Sequence, residues 1–250
     1  MLTEPTLDKL KAMRLDGLAA AWAMQRDDPE IGGLSFEERF GLMVDHEWVH
    51  REARRMKRNL TAAKLRLRQA SLEDLEHAPE RKLDRALVRR LATCRWIHEH
   101  RDIAITGATG TGKTYLACAL AHHAIRHGNK ALYSRASRLF GELRLAHADG
   151  TYGKVLARIA RADVLVIDDF GMAGLKESQR HDLLEVLEDR HGQRSTIITS
   201  QLPPTQWHEA IGEPTVADAI CDRVLHGAHR IALSGPSRRK SAAADSDEGP

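Results

Sequence analysis

Aromatic residues are scarce, 4% of the 250 positions, which leaves little ring surface for stacking unpaired bases. Cysteine is scarcer still: Cys94, Cys118 and Cys221 are odd in number, scattered and without CxxC spacing. That excludes a disulfide framework and reads as reduced thiols. Long apolar runs are missing as well. Stretches such as residues 17–24 and 164–167 fall far short of the roughly 20 residues a membrane span needs. The opening MLTEPTLDKLK has neither an apolar core nor a cleavage pattern, so it does not read as a secretory signal. These absences predict a cytoplasmic protein with no membrane partner. A hydrophobic content of 42% beside 29% charged residues excludes a disordered chain and suits one large domain or two modest ones.

The net charge of +3 conceals unlike parts. Residues 1–50 carry 5 basic and 10 acidic side chains, residues 51–101 carry 15 and 7, and the remainder balances. Residues 51–68 alone hold eight basic side chains and one acid. Such a block is a candidate surface for a polyanion, or a partner for the acidic residues 1–50 of a neighbouring subunit.

Residues 1–98 predict a helical N-terminal domain. Leu7, Leu10, Met13 and Leu18 recur at helical spacing. Ser35 and Glu38 have the spacing of a capping box, and Phe36, Phe40, Met43 and Val44 beyond them share one helical face. If that helix runs on, Arg51, Arg54, Arg55 and Arg58 form one cationic stripe. A further helix is expected over 83–98. From 99 to 233 short β-rich runs (103–106, 131–134, 164–167, 196–199 and 230–233) alternate with helical stretches. That is the pattern of βαβ units around a parallel sheet buried on both faces. Residues 234–250 are small and polar and read as a disordered tail.

Chemistry concentrates in the second region. Gly107-Ala108-Thr109-Gly110-Thr111-Gly112-Lys113-Thr114 matches GxxxxGK[ST]. The match follows a predicted strand and opens an apolar helix at Tyr115. Glycines there let backbone N–H groups wrap phosphates, and the helix N-terminus adds its positive end. Lys113 would reach the β- and γ-phosphates of ATP, and Thr114 would ligate Mg²⁺. Farther on, a buried strand ends in Asp168 and Asp169, delivering two carboxylates to the sheet edge beside the loop. Asp168 would hold the Mg²⁺ shell, and Asp169 would orient or deprotonate the attacking water. The strand over 196–199 ends in Ser200 and Gln201, polar groups placed to hold that water. Arg223, taken alone, reads as a surface arginine near a helix end.

Together these residues resemble AAA+ ATPases of the DnaA/DnaC clade, and more closely the IstB-like ATP-binding helpers of insertion-sequence transposition. The phosphate loop and VLVIDDFG are shared across the clade. The discriminating stretch is STIITSQLPPTQWHEAIGEPTVADAICDRVLHGAHRIALSG at 195–235, and EWVHREARRMKRNLTAAKL resembles that family's helical leader. The resemblance spans nearly the whole chain. It implies an α/β fold, a P-loop AAA+ core with a parallel sheet behind an all-helical N-terminal domain. With 17 residues past the last predicted strand, no helical lid is expected. The resemblance also implies ATP and Mg²⁺ as cofactors, Arg223 as an arginine finger acting in trans, and Gln201 at a sensor position usually held by Asn. Arg230 or Arg239 could serve as a second sensor. Asp169 stands where many AAA+ proteins have the longer Glu, which predicts slow hydrolysis that depends on assembly or DNA.

The same resemblance extends to a helical insertion between the second and third strands that lines a nucleic-acid channel. Here that stretch carries Arg135, Arg138, Arg144, Lys154, Arg158 and Arg161, opposed by Glu142 and Asp149. With few aromatics, contact to the phosphate backbone of duplex DNA is expected, sensitive to salt and largely indifferent to sequence. The reading is an ATP-dependent regulator of transposition that forms a homo-oligomer on duplex DNA and recruits or stimulates a cognate transposase. Its rivals are a DnaC-type helicase loader, a phosphotransferase acting on a small acceptor, and a DNA-binding structural protein gated by nucleotide. One motif stands apart. His46-Glu47-Trp48-Val49-His50 matches HExxH, but Ala53 and Met56 occupy the places where the extended zinc-peptidase pattern needs Gly and His. A third ligand would have to come from elsewhere in the chain, for example Glu73 or Glu76. Trp48 and Val49 instead suit a packed helix.

Overall fold

A computed structural model describes residues 3–28, 31, 33–75 and 79–237. The chain divides into two compact units, Met1–Arg58 and Asn59–Pro250. The expected tail from 238 onward, with Arg239, and Glu76 lie outside the described residues.

In the first unit, α1 (Thr3–Ala12) and α2 (Asp16–Asp27) precede α3 (Phe36–Ala63), which crosses the division. The leucine periodicity is broken between α1 and α2, where Arg14 takes a left-handed φ of 59°. The capping box forms as its spacing predicts. Glu38 N donates to Ser35 Oγ at 3.3 Å, and Ser35 N donates to the Glu38 carboxylate at 2.8 Å. The face of Phe36, Phe40 and Val44 is exposed, with only Met43 of that set buried. HExxH is taken up in helix packing. His46 Nδ1 bonds the Gly17 carbonyl at 2.9 Å, and Leu18 N donates to Glu47 at 2.9 Å. A side chain at position 17 would collide with Glu47 and His50, so glycine permits this approach. Trp48 and Val49, expected to be packed, face outward.

The second unit begins forty residues before the boundary at 98 that composition suggested, because residues 59–75 and 79–98 pack with the strand-bearing part of the chain. Ala63, Leu65, Leu75, Leu83, Leu91, Trp96 and Ile97 share one core with Ile103 and Ile105. The single helix expected over 83–98 is two, α4 (Arg85–Ala92) and α5 (Arg95–His98). Asp84 caps α4 by accepting from Ala86 N at 2.7 Å. Cys94, left-handed at φ 57°, separates the two.

Five parallel strands follow: β1 (Ile103–Gly107), β2 (Ala131–Arg135), β3 (Val164–Phe170), β4 (Ser195–Ser200) and β5 (His229–Leu233). Their order across the sheet is β2-β3-β4-β1-β5. One face packs on α6 (Lys113–Arg126) and the 59–98 segment. The other packs on α7 (Ala136–Asp149), α8 (Tyr152–Ala160), α9 (Glu177–Glu188) and α11 (Pro214–Leu225), with α10 (Trp207–Ile211) between the last two in sequence. The Ala-rich α6 is apolar nearly all round because it lies between the sheet and buried residues of 63–97 such as Leu65, Leu91 and Trp96. Beneath the sheet Arg190 is fully buried and donates to the carbonyls of Ile159, Ala162 and Ser195. Nearby Asp102 accepts from Thr196 N at 2.6 Å. Burial pushes its carboxyl up to about 7.

Candidate active site

The loop from Gly107 to Gly112 joins β1 to α6, which is where a parallel sheet presents its carboxyl edge. Gly107, Gly110 and Gly112 all have positive φ. At Gly112 a Cβ would lie 2.6 Å from the Arg81 guanidinium. With φ 93° as well, any residue bearing a Cβ is strained there. Arg81, buried, donates to the Thr111 carbonyl at 3.1 Å and holds the loop from behind. Thr111 Oγ1 in turn donates to the Ala108 carbonyl at 2.9 Å. Lys113 Nζ donates to the carbonyls of Gly107 and Ala108 at 2.7 and 2.8 Å. The Tyr115 hydroxyl bonds the backbone of Ser71 at 3.4 Å, which ties this end of α6 to the leader segment.

Asp168 is fully buried, and three hydroxyls converge on its carboxylate. Thr114 donates at 3.0 Å, Thr199 at 2.6 Å and Tyr133 at 2.6 Å. Arg66 Nη1 stands 3.9 Å away. Burial and this carboxylate together push the Tyr133 hydroxyl well above its ordinary pKa, so it stays a donor. The next residue sits on an irregularity in the β3–β4 pairing, and Asp169 has φ 61°. Asp169 N donates to Thr199 Oγ1 at 3.0 Å. Its carboxylate is turned outward between two arginines, 3.9 Å from Arg66 Nη1 and 3.7 Å from Arg135 Nε. Thr199 thus grips both acids.

The loop and the acid pair are visible in the sequence, whereas Thr199, Tyr133, Arg66 and Arg81 join the site only in the folded chain. A fully buried strand shows no alternation, so nothing marks Thr199 above its neighbours. Ser200, offered for water placement, is buried and donates to the Phe170 carbonyl at 2.8 Å. Gln201 is half-exposed and its amide lies against Met172 Sδ at 2.7 Å. Arg223 lies on α11, ion-paired with Glu188 of α9 and donating to the Ala219 carbonyl at 2.9 Å. Arg230 donates to the Leu225 carbonyl at 3.2 Å.

The expected cationic stripe is already engaged within the first unit. Arg51 pairs with Glu47 at 2.5 Å, Arg54 with Asp16 at 2.8 Å and Arg55 with Glu52 at 2.8 Å, while Arg58 is exposed. The second cluster has a shape as well as a charge. A groove of about 1020 Å³ runs beside α7 and is lined by Lys64, Arg66, Arg135, Arg138, Arg144 and Arg158, among others. Arg158 pairs there with Glu142 at 2.8 Å, and Lys154 is exposed outside it. Arg66 and Arg135 belong to both the groove and the acid pair.

Similarity to known proteins agrees with this geometry. The family described as IstB-like ATP binding protein matches residues 8–246. A protein of Sinorhizobium fredii named for insertion-sequence ATP binding, y4pL, is 49% identical over 241 residues, covering 96% of this chain and 98% of its own. In fold, AMPPCP-bound DnaA from Aquifex aeolicus superimposes with a TM-score of 0.58 at 19% identity, over 72% of this chain and 55% of that one. The DnaC helicase loader gives 0.53 at 22% identity, over 66% and 97%. The core that carries the site has the fold seen in DnaA and DnaC, and the chain belongs to the family of IstB-like ATP-binding proteins.

Proposed function

We propose that this chain is an ATP-hydrolysing helper of insertion-sequence transposition, which oligomerises on duplex DNA and recruits or stimulates a transposase. The observation that carries the ATPase reading is Asp168, held beneath Thr114 at the mouth of the phosphate loop. Thr114 Oγ1 and the Asp168 carboxylate are an all-oxygen donor set, which suits Mg²⁺. The ion, when bound, would neutralise charge on the β- and γ-phosphates. Lys113 trades its two loop carbonyls for phosphate oxygens. Thr199 keeps Asp168 on the metal side and Asp169 on the water side. Asp169 orients the attacking water once its arginine neighbours release it. Arg223 leaves Glu188 to reach the phosphates of an adjacent subunit.

The groove supplies the link to DNA. A phosphate that engages Arg66 or Arg135 draws the guanidinium off Asp169, so DNA binding and hydrolysis are coupled through the same two side chains. Sequence-independent duplex contact follows from arginines facing a groove. Electron microscopy with duplex DNA, with and without ATP, tests the reading. Ordered assemblies should form only with both, and Lys113→Ala should disperse them. Assembly of that variant with ATP at the wild-type level would overturn the mechanism, and a clear preference for single strands would favour a helicase loader.

A further inference from the structure

The end of α6 opposite the phosphate loop carries a second cluster with chemistry of its own. The ligand atoms of Cys94, His123 and His127 lie within 4.8 Å of one another. The two histidines stand one helical turn apart at the C-terminal end of α6, and Cys94 is the buried residue that breaks α4 from α5. Both rings are oriented by backbone carbonyls. His123 Nε2–H donates to the Ala92 carbonyl at 2.8 Å, and His127 Nδ1–H donates to the His123 carbonyl at 2.9 Å.

Each of those bonds fixes a tautomer and leaves the other ring nitrogen with a lone pair. In His123 that nitrogen is Nδ1, which is buried and, among the described residues, has no hydrogen-bond partner. An imidazole whose N–H rests on a backbone carbonyl while its other nitrogen waits unpaired is arranged as metal ligands are. The setting favours a cation, since the last turn of a helix carries the negative end of its dipole.

We propose that Cys94, His123 and His127 bind one divalent transition-metal ion of the zinc class, which staples the α4–α5 junction to the C-terminal end of the phosphate-loop helix. One thiolate and two imidazoles are a borderline-soft donor set suited to tetrahedral zinc, with water in the fourth position. Tetrahedral bond lengths place such donors about 3.3 to 3.6 Å apart. The exposed His127, followed by Gly128, can supply the closing movement. As the sulfur–metal bond forms, the Cys94 thiol releases its proton to solvent. The site is separate from the oxygen donors Thr114 and Asp168, and it stands whether or not the transposition reading does.

The test uses the full chain, stripped with a chelator and titrated with Co²⁺ in excess Mg²⁺. The expected result is a sulfur-to-cobalt charge-transfer band that saturates at one equivalent and is displaced by Zn²⁺. Cobalt bound at the oxygen donors of the ATP site yields no such band. Cys94→Ser should abolish it, and His127→Ala, at an exposed position, should weaken binding by about tenfold or more. A His46→Ala/His50→Ala variant should keep it. Circular dichroism checks that each variant is folded, and His127→Ala carries the test if Cys94→Ser is not. Absence of the band at one equivalent, or binding unchanged by His127→Ala, overturns the proposal.

Discussion

At the scale of single residues, the shape of the backbone explains an oddity of the acid pair. Asp169 has φ 61° on a bulged strand end, a conformation that Asp and Asn adopt more readily than longer side chains. The shorter acid, where many AAA+ proteins have Glu, is therefore suited to its backbone. Asp169→Asn should keep the fold and ATP binding while lowering turnover by about 10²–10⁴. Asp169→Glu should cost about 1 kcal/mol of stability. ATPase rates, nucleotide binding and denaturant titration of the two variants check this, and undiminished hydrolysis by Asp169→Asn would remove Asp169 from the role of base. The loop was legible in the sequence because its chemistry is local, eight adjacent residues each with a backbone or phosphate task. Thr199, Tyr133 and Arg66 were not, because their roles arise only when separate strands and the leader segment close over Asp168.

At the scale of elements, the strand positions and the capping box at Ser35 were readable, whereas the α4–α5 break was not. A left-handed Cys94 has no signature in composition. The groove beside α7 was half legible: its arginines were named, but its meeting with Asp169 depends on register. Arg135 pairs across β2–β3 with Asp168, which brings its guanidinium to the neighbouring acid. If that contact restrains Asp169, Arg135→Ala should raise basal hydrolysis several-fold and reduce the further stimulation by duplex DNA. ATPase assays with and without duplex over a salt series measure both quantities. A variant with wild-type basal rate and wild-type stimulation would show that the Arg135–Asp169 contact is idle.

At the scale of the molecule, the hidden charge split acquires a different meaning. Part of the basic block answers acids of its own chain, through Arg51 with Glu47 and Arg54 with Asp16. The Arg54–Asp16 pair is exposed and contributes about 0–1 kcal/mol, so a phosphate can still compete for Arg54. The catalytic question is the reach of Arg223, which in one chain is tied to Glu188. If it completes a neighbour's site, two inactive proteins should repair each other. Asp169→Asn, which keeps ATP binding, leaves an intact finger on a subunit unable to hydrolyse, and Arg223→Ala leaves an intact loop without a finger. Mixed in equal amounts on duplex DNA, random assembly pairs an intact site with a good finger at about one interface in four, so about a quarter of the wild-type rate should return. A finger acting within its own subunit would restore nothing at any ratio. The recovered rate as a function of mixing ratio therefore decides whether the site is built from one chain or two.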